Sequence, residues 1–294
     1  MKRIFSWCVL ILAMCCFLGC GSKNTTASVS GDNLEIKVLN VGQGDAILIR
    51  KDGQTVLIDT SDLDEHDKFR KELKKAGVSV IDKLIITHPH ADHLGGASVL
   101  FKEFQVKAVY DNGLLATAKF YRDYLKSVKN KNIPYKQLTR GDVLELAPGV
   151  VFKVLSPEKE YIDSGAKWKN GKVDYNGSSI VGRLSYGKFA IMLTGDVETA
   201  GESMIVKHKE DDLKCQVLKA GHHGSKTSSS EKFLRAVEAE AVIISCGAGN
   251  DYGHPHAQAM KRFNNHKLKI YRTDENGTVT ITSDGKTYSI KGEK

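Results

Sequence analysis

Short apolar runs that suit strands alternate along this chain with longer stretches whose apolar positions are spaced for a helix. Positions 34–41 and 46–49 read as strands, and 54–58 returns as a hairpin across Lys51-Asp52-Gly53. Residues 64–76 are charged, with apolar positions at Phe69, Leu73 and Ala76 and a stop at Gly77, which predicts a helix. The run 84–86 is a buried strand. Gly95-Gly96 opens a short helix that ends near Phe104, 106–110 is a strand, and 116–130 a helix. A second hairpin covers 143–146 and 150–155 over Pro148-Gly149. Strands at 179–184, 189–193, 215–219, 241–245 and 268–271 follow, with helices at 198–207, at 231–237 and after His256. A hairpin over 278–290 closes the chain. Two strand-rich halves, each with its own helices, predict an α/β fold in the form of a four-layer αββα sandwich over 34–294.

Two stretches break this rhythm. Residues 156–178 are rich in Gly, Lys, Asp and Asn around a lone Trp168 and have no period. Long irregular loops of this kind border binding sites. At the other end, Lys2 and Arg3 precede an almost wholly apolar run over 4–18, which is short for a membrane span and typical of a signal segment. The run ends in Phe17-Leu18-Gly19-Cys20. Gly-Cys at this point resembles a bacterial lipoprotein cleavage site, with Cys20 as the lipidated first residue of the mature protein. Phe17 and Leu18 depart from the usual box, and plain secretion is the alternative. Residues 21–33 read as a flexible tether.

Composition changes this picture little. A hydrophobic fraction of 41% and a charged fraction of 27% over 294 residues are ordinary for one sizeable globular domain. The net charge of +8 is a mild basic excess, two units of it from Lys2 and Arg3. It is compatible with a phosphate-rich partner without demanding one. Of the six cysteines, four lie in the first 20 residues, and Cys215 and Cys246 sit in apolar runs. No disulfide framework is implied.

The chemistry concentrates in His88-Pro89-His90-Ala91-Asp92-His93, directly after the strand at 84–86. Imidazoles and a carboxylate at this density suit zinc, manganese or iron. Asp196 ends another strand at Leu193-Thr194-Gly195, so its carboxylate projects at a sheet rim, although a helix N-cap would explain it too. His222, His223 and His254 also follow strands. No histidine lies between His93 and Asp196.

Together these motifs resemble the metallo-β-lactamase fold superfamily. Asn40-Val41-Gly42-Gln43-Gly44-Asp45-Ala46, Val56-Leu57-Ile58-Asp59-Thr60, Leu193-Thr194-Gly195-Asp196, Leu218-Lys219-Ala220-Gly221-His222-His223-Gly224-Ser225 and Tyr252-Gly253-His254-Pro255 narrow the resemblance to the hydrolase domain of the ComEC competence family. The match runs from about residue 34 to the C-terminus and lacks that family's membrane channel. It implies two divalent metal ions, zinc with manganese as the alternative. His88 and His90 would face one ion, Asp92 and His93 the other, and Asp196 both. The final histidine ligand is open between His222 and His254, with His223 as a proton donor to the leaving oxygen. Asp59 would orient a ligand imidazole from behind. Asp45, Asn176, Ser179 and Ser225 are candidates for substrate binding.

The resemblance further implies hydrolysis of a phosphodiester, with extracellular DNA as substrate and a metal-bridging hydroxide as nucleophile. Asp92, Asp196 and His223 would carry that reaction. Another envelope ester, such as a phosphorylcholine ester, is the second enzymatic reading, and β-lactam hydrolysis is weaker. A non-catalytic surface-binding lipoprotein is the reading from outside enzymology. A basic groove at the site would favour nucleic acid, and a compact pocket a small ester. The expected location is the outer face of the cell membrane, through the lipid anchor.

Overall fold

The computed structural model describes residues 33–167, 171–209 and 212–294. The signal segment, Cys20, nearly all of the tether and Trp168 lie outside them. Among the described residues no helix is long and apolar enough to cross a membrane.

Two sheets carry the fold. The first has eight strands in the order Tyr288–Gly292, Val279–Ser283, Leu34–Val38, Ile47–Lys51, Gln54–Ile58, Lys83–Ile86, Val109–Asp111 and Tyr135–Gln137. The second has seven, in the order Lys269–Arg272, Ala241–Ile244, Val217–Lys219, Phe189–Leu193, Val181–Tyr186, Val150–Ser156 and Val143–Ala147. Successive strand residues point to opposite faces, so each sheet splits its side chains between two layers. Ile36, Ile49, Val56 and Ile85 meet Phe152, Leu184, Ile191 and Val217 between the sheets. Leu48, Leu57 and Leu84 face outward onto Phe69, Leu73, Leu100 and Tyr124 of the helices. On the other side Met192, Leu218 and Val242 pack against Ile205, Phe233, Leu234 and Phe263. Helices, sheet, sheet and helices make the four layers expected from the pattern.

The hairpin at Lys51-Asp52-Gly53 forms as its sequence predicts. Lys51 pairs with Gln54, which leaves Asp52 and Gly53 as a two-residue turn with φ of 49° and 75°. Positive φ at both positions gives the turn the twist its strands need. The first predicted strand is cut short at Val38, because the chain bends over Asn40 to Gly44 toward the site. Several pieces escape the pattern because they are too short to show a period, among them the strands Val80–Ile81 and Tyr135–Gln137 and the helices Ala91–Leu94, Lys159–Asp163 and Thr273–Asn276. The helix Lys159–Asp163 lies inside the stretch expected to be irregular. Cys215 and Cys246 are buried and free.

Candidate metal centre

The chemistry gathers where strands end. Gln54–Ile58, Lys83–Ile86 and Val109–Asp111 run parallel in the first sheet, and Phe189–Leu193, Val217–Lys219 and Ala241–Ile244 run parallel in the second. The residues just beyond them include Asp59, His88, Asn112, Asp196, His222, His223 and His254. Side chains from five of these loops reach a common crevice, through Asp62, Asp92, Asp196, His222 and His254, the usual place for a ligand in such sheets.

His93 sits at the centre of the site. It is fully buried on the short helix Ala91–Leu94. Its Nδ1 is 2.8 Å from Asp59 Oδ2, and Asp59 also accepts from Thr87 N at 2.7 Å and Thr87 Oγ1 at 2.8 Å. A proton on Nδ1, held by Asp59, leaves His93 Nε2 free to ligate. That Nε2 is 3.1 Å from Asp196 Oδ1 and 3.9 Å from Asp92 Oδ2. Burial alone would push the His93 imidazole down. Asp196, Asp59 and Asp92 overcome it and hold the ring well above its ordinary value.

Asp196 faces two groups. Ligand atoms of Asp92, His93, Asp196 and His223 all lie within 4.8 Å of one another, with His223 Nε2 3.2 Å from Asp92 Oδ2 and 3.7 Å from Asp196 Oδ1. The second oxygen, Asp196 Oδ2, is 4.0 Å from His88 Nε2 and 3.7 Å from His222 Nε2. His88 Nε2 in turn is 3.0 Å from His90 Nδ1. One tight group and one looser group therefore share a carboxylate. Burial would raise the Asp196 carboxyl, but His93, His223 and His88 hold it far below the usual range. His88 moves the other way, pushed well down by burial and then by His93.

This geometry revises several expectations. His223, expected as a proton donor, points Nε2 into the tight group, among the atoms that could hold a metal ion. His222, one of the two candidates for the last ligand, belongs to the looser group. His254 joins neither. Its ring lies 5.4 Å from that of His222 and 6.0 Å from that of His223, at the wall of the pocket. Burial, then His223 and His222, lower the His254 imidazole to about 4, so it is neutral at ordinary pH.

Of the four substrate-binding candidates only Asn176 lines the pocket. Asp45 is buried behind His223, 3.6 Å from its Nδ1, and is paired with the fully buried Lys219 at 2.9 Å. Ser179 is buried as well; its Oγ accepts from Asp196 N at 3.1 Å and lies 3.3 Å from His88 Nδ1. It shapes the metal centre from beneath. Ser225 Oγ is turned to Thr227 Oγ1 at 2.9 Å, away from the pocket.

Other residues gain roles that the sequence reading did not assign. Glu198 Oε1 is 3.2 Å from His222 Nδ1 and accepts from Thr227 Oγ1 at 2.9 Å. Asn112 Nδ2 donates to Ser178 O at 2.9 Å and so fixes the turn that carries Asn176 and Ser179. Gln43, Asp62 and Tyr252 complete the pocket wall. Lys219 had a visible signal, a lone charge in an apolar run. Glu198, two residues beyond Asp196, had only its nearness in sequence.

Backbone strain marks the same place. Asp59, His222 and His223 adopt φ of 61°, 48° and 52°, a left-handed conformation that costs a residue with a Cβ energy. Gly44 meets the opposite need. With φ of 132° it lies so close to the ligand helix that an added Cβ would sit 2.5 Å from Asp92 O.

The residues suit divalent metal. His93 Nε2 and Asp196 Oδ1 are buried without a hydrogen-bond partner, which is costly unless a cation satisfies them. Two imidazoles and two carboxylates form a donor set for zinc or manganese. A second cluster of Asp45, Asp59 and His93 is also close-set. Its carboxylates are already committed to Lys219 and Thr87, so it supports the site from behind.

Residues 39–248 match the metallo-beta-lactamase superfamily, a stretch that carries every residue of both groups. The chain belongs to the metallo-beta-lactamase superfamily. It is a hydrolase of that superfamily and is related to competence proteins. It is 32% identical over 264 residues to ComE operon protein 3 of Bacillus subtilis (strain 168), covering 83% of this chain and 32% of that one. Competence protein ComA of Neisseria gonorrhoeae is 33% identical over 274 residues, covering 93% and 35%. Recombination protein 2 of Haemophilus influenzae is 31% identical over 252 residues, covering 84% and 28%. This metallo-beta-lactamase chain thus spans about a third of the length of these relatives. Among solved structures, the metallo-beta-lactamase fold protein YhfI of Bacillus subtilis superposes with a TM-score of 0.57 at 10% identity, covering 86% of this chain and 100% of that one. CmlA, a diiron beta-hydroxylase from Streptomyces venezuelae, gives 0.55 at 13%, covering 83% and 53%. At these identities the likeness is one of fold.

Proposed function

We propose that this metallo-beta-lactamase chain is a metal-dependent phosphodiesterase that cleaves DNA, held at the outer face of a cell membrane by a lipid on Cys20. One observation carries the reading. A relative named for competence aligns through 93% of the chain, a span that includes the whole metal centre.

The site's own chemistry is consistent with a phosphoester. A bound divalent ion would supply Lewis-acid polarisation of the phosphoryl oxygen. Asp196 and Asp92 provide the anionic charge that holds such ions, and Asp59 fixes the His93 tautomer. The amides of Gln43 and Asn176 line the approach and can donate to phosphoryl oxygens. His254, neutral at the rim, keeps a nitrogen able to accept a proton from a bound group.

One observation favours a second reading. The pocket has a volume of about 320 Å³ and no Lys or Arg among the described residues of its wall, which are not the basic groove expected for a long strand. A compact pocket suits a small ester such as a phosphorylcholine ester, or a single nucleotide at a time. An activity panel tests both, with plasmid, single-stranded DNA, a chromogenic phosphodiester, a phosphorylcholine ester and a β-lactam on the metal-loaded chain. Cleavage of DNA that is lost in Asp196→Asn supports the proposal. Turnover of the phosphorylcholine ester alone replaces it with the second reading.

A further inference from the structure

Tyr252 is one of several large apolar side chains exposed on this surface. It is 64% exposed and stands on the wall of the metal pocket. Exposed aromatics at a site are rarely idle, because a ring left in water carries apolar area that packing would otherwise bury. Its ring stacks on that of His254 at 5.7 Å with an angle of 17° between planes. The other side of the ring is left to solvent.

The loop that carries it is tied down. Asn250 Nδ2 donates to Gly247 O at 2.8 Å and His254 O at 2.6 Å, and Asn250 Oδ1 accepts from His254 N at 3.0 Å. Gly247 N donates to Gln43 Oε1 at 3.1 Å, and His256 N to Gly224 O at 3.0 Å. The ring is therefore presented in a set orientation, so little freedom remains to be lost on binding.

We propose that the Tyr252–His254 stack is a nucleobase platform, on which a base next to the scissile phosphate lies flat. This rests on the phosphodiester reading above and names how that site grips its substrate. Among its described residues the pocket wall has no Lys or Arg to hold flanking phosphates, and a base offers a second part of the nucleotide to grip. A flat ring with one open face recognises a flat partner, and stacking of a base on an aromatic side chain is tolerant of sequence. A quaternary ammonium would need several aromatic faces around it. Among the described residues of this wall Tyr252 is the one Phe, Tyr or Trp. The platform thus takes any base, and cleavage has little sequence preference.

The test compares a single-stranded oligothymidylate with a strand of the same length whose sugars carry no bases, cleaved by the metal-loaded full chain. Wild type should show a KM about tenfold lower for the base-bearing strand, the low side of what one stacked base supplies. In Tyr252→Ala that ratio should fall to about one, whereas Tyr252→Phe should keep it. A strand containing 2-aminopurine should lose fluorescence on binding wild type and Tyr252→Phe but not Tyr252→Ala. If wild type cleaves DNA and Tyr252→Ala keeps the wild-type ratio and the quench, the platform is wrong and the phosphodiesterase reading stands. If wild type cleaves neither strand and turns over only the phosphorylcholine ester, both are wrong.

Discussion

Glu198 Oε1 lies 3.2 Å from His222 Nδ1, and this contact turns the Nε2 of His222 toward Asp196. The carboxylate stands at the start of the helix Thr199–Lys207 and is itself held by Thr227. The hydrogen bond to His222 is the largest of the effects that lower its carboxyl. No histidine lies between His93 and Asp196, so His222 fills out the looser group with His88 and His90. Glu198→Ala should weaken metal at that group by about 10- to 100-fold, the usual effect of losing such a partner. Elemental analysis after dialysis against limiting metal should find fewer ions per chain, with the tight group still filled. Glu198→Gln keeps an acceptor for Nδ1 and should fall between. Equal metal content in all three proteins would contradict the role.

Asp196→Asn should be the most damaging single polar change. One oxygen faces His93 and the other faces His88 and His222, so the amide removes the charge both groups share. A fall of about 4 kcal/mol or more in transition-state stabilisation is expected, several orders of magnitude in rate. Circular dichroism should show the fold intact. Retention of more than about a tenth of wild-type turnover on every accepted substrate would overturn the shared-carboxylate arrangement.

Lys219 and Asp45 form a fully buried ion pair beneath His223. Lys219→Met leaves the Asp45 carboxylate without its cation in a dry interior, which should cost about 3–5 kcal/mol. Urea denaturation should show that loss. Adding Asp45→Asn to the same chain should restore part of it, because the stranded charge is gone. A single variant as stable as wild type would mean that water reaches the pair.

Acid should loosen the start of the strand Lys83–Ile86, where Asp82 ties it to Thr55 of the neighbouring strand. Burial alone would raise the Asp82 carboxyl, but Lys107 and Thr55 N, each at 2.8 Å, hold it below its ordinary range. A folded pKa below the unfolded one adds stability above the unfolded value and loses it as pH falls through the folded value. Asp82→Asn should therefore be less stable than wild type near neutrality and converge with it in acid, as pH falls through the lowered value of Asp82. Thermal melts across pH 2 to 7 would check this, and parallel curves would refute it.

Cys20 lies outside the described residues, and its role rests on the basic start, the apolar run and Gly19-Cys20. Mass spectrometry of the membrane-associated protein should find Cys20 as a lipid-bearing N-terminus. Free release of a chain that starts elsewhere and carries no lipid would remove the anchor.

Much of the site was legible because the ligands near one another in sequence share one turn. His88, His90, Asp92 and His93 announce themselves, and Asp196 stands at a strand end behind a glycine. The histidines of the second half were harder. His222, His223 and His254 all follow strands, and nothing in their spacing shows which ring turns inward. That choice is made by contacts from elsewhere. Glu198 turns His222, while Ser245 O at 3.0 Å and the Asp45–Lys219 pair hold His223. Ser225 and Ser179 looked alike as hydroxyls near a metal motif, yet one is turned to Thr227 and the other is sealed beneath His88.

By itself the sequence determined the layers and the location of the chemistry. Alternation along strands decides which side chains face the partner sheet and which face helices, and that information is local. It also specified the turn at Asp52-Gly53 and the run of ligands after Ile86. Only the tertiary structure decided which imidazole nitrogen faces which carboxylate, and that Tyr252 stands at the pocket. Those depend on pairs such as His223 with Asp92, 131 positions apart in the chain. A side chain's direction is set by whatever packs behind it, and here Asp92 and His223, which meet in one group, follow strands of different sheets.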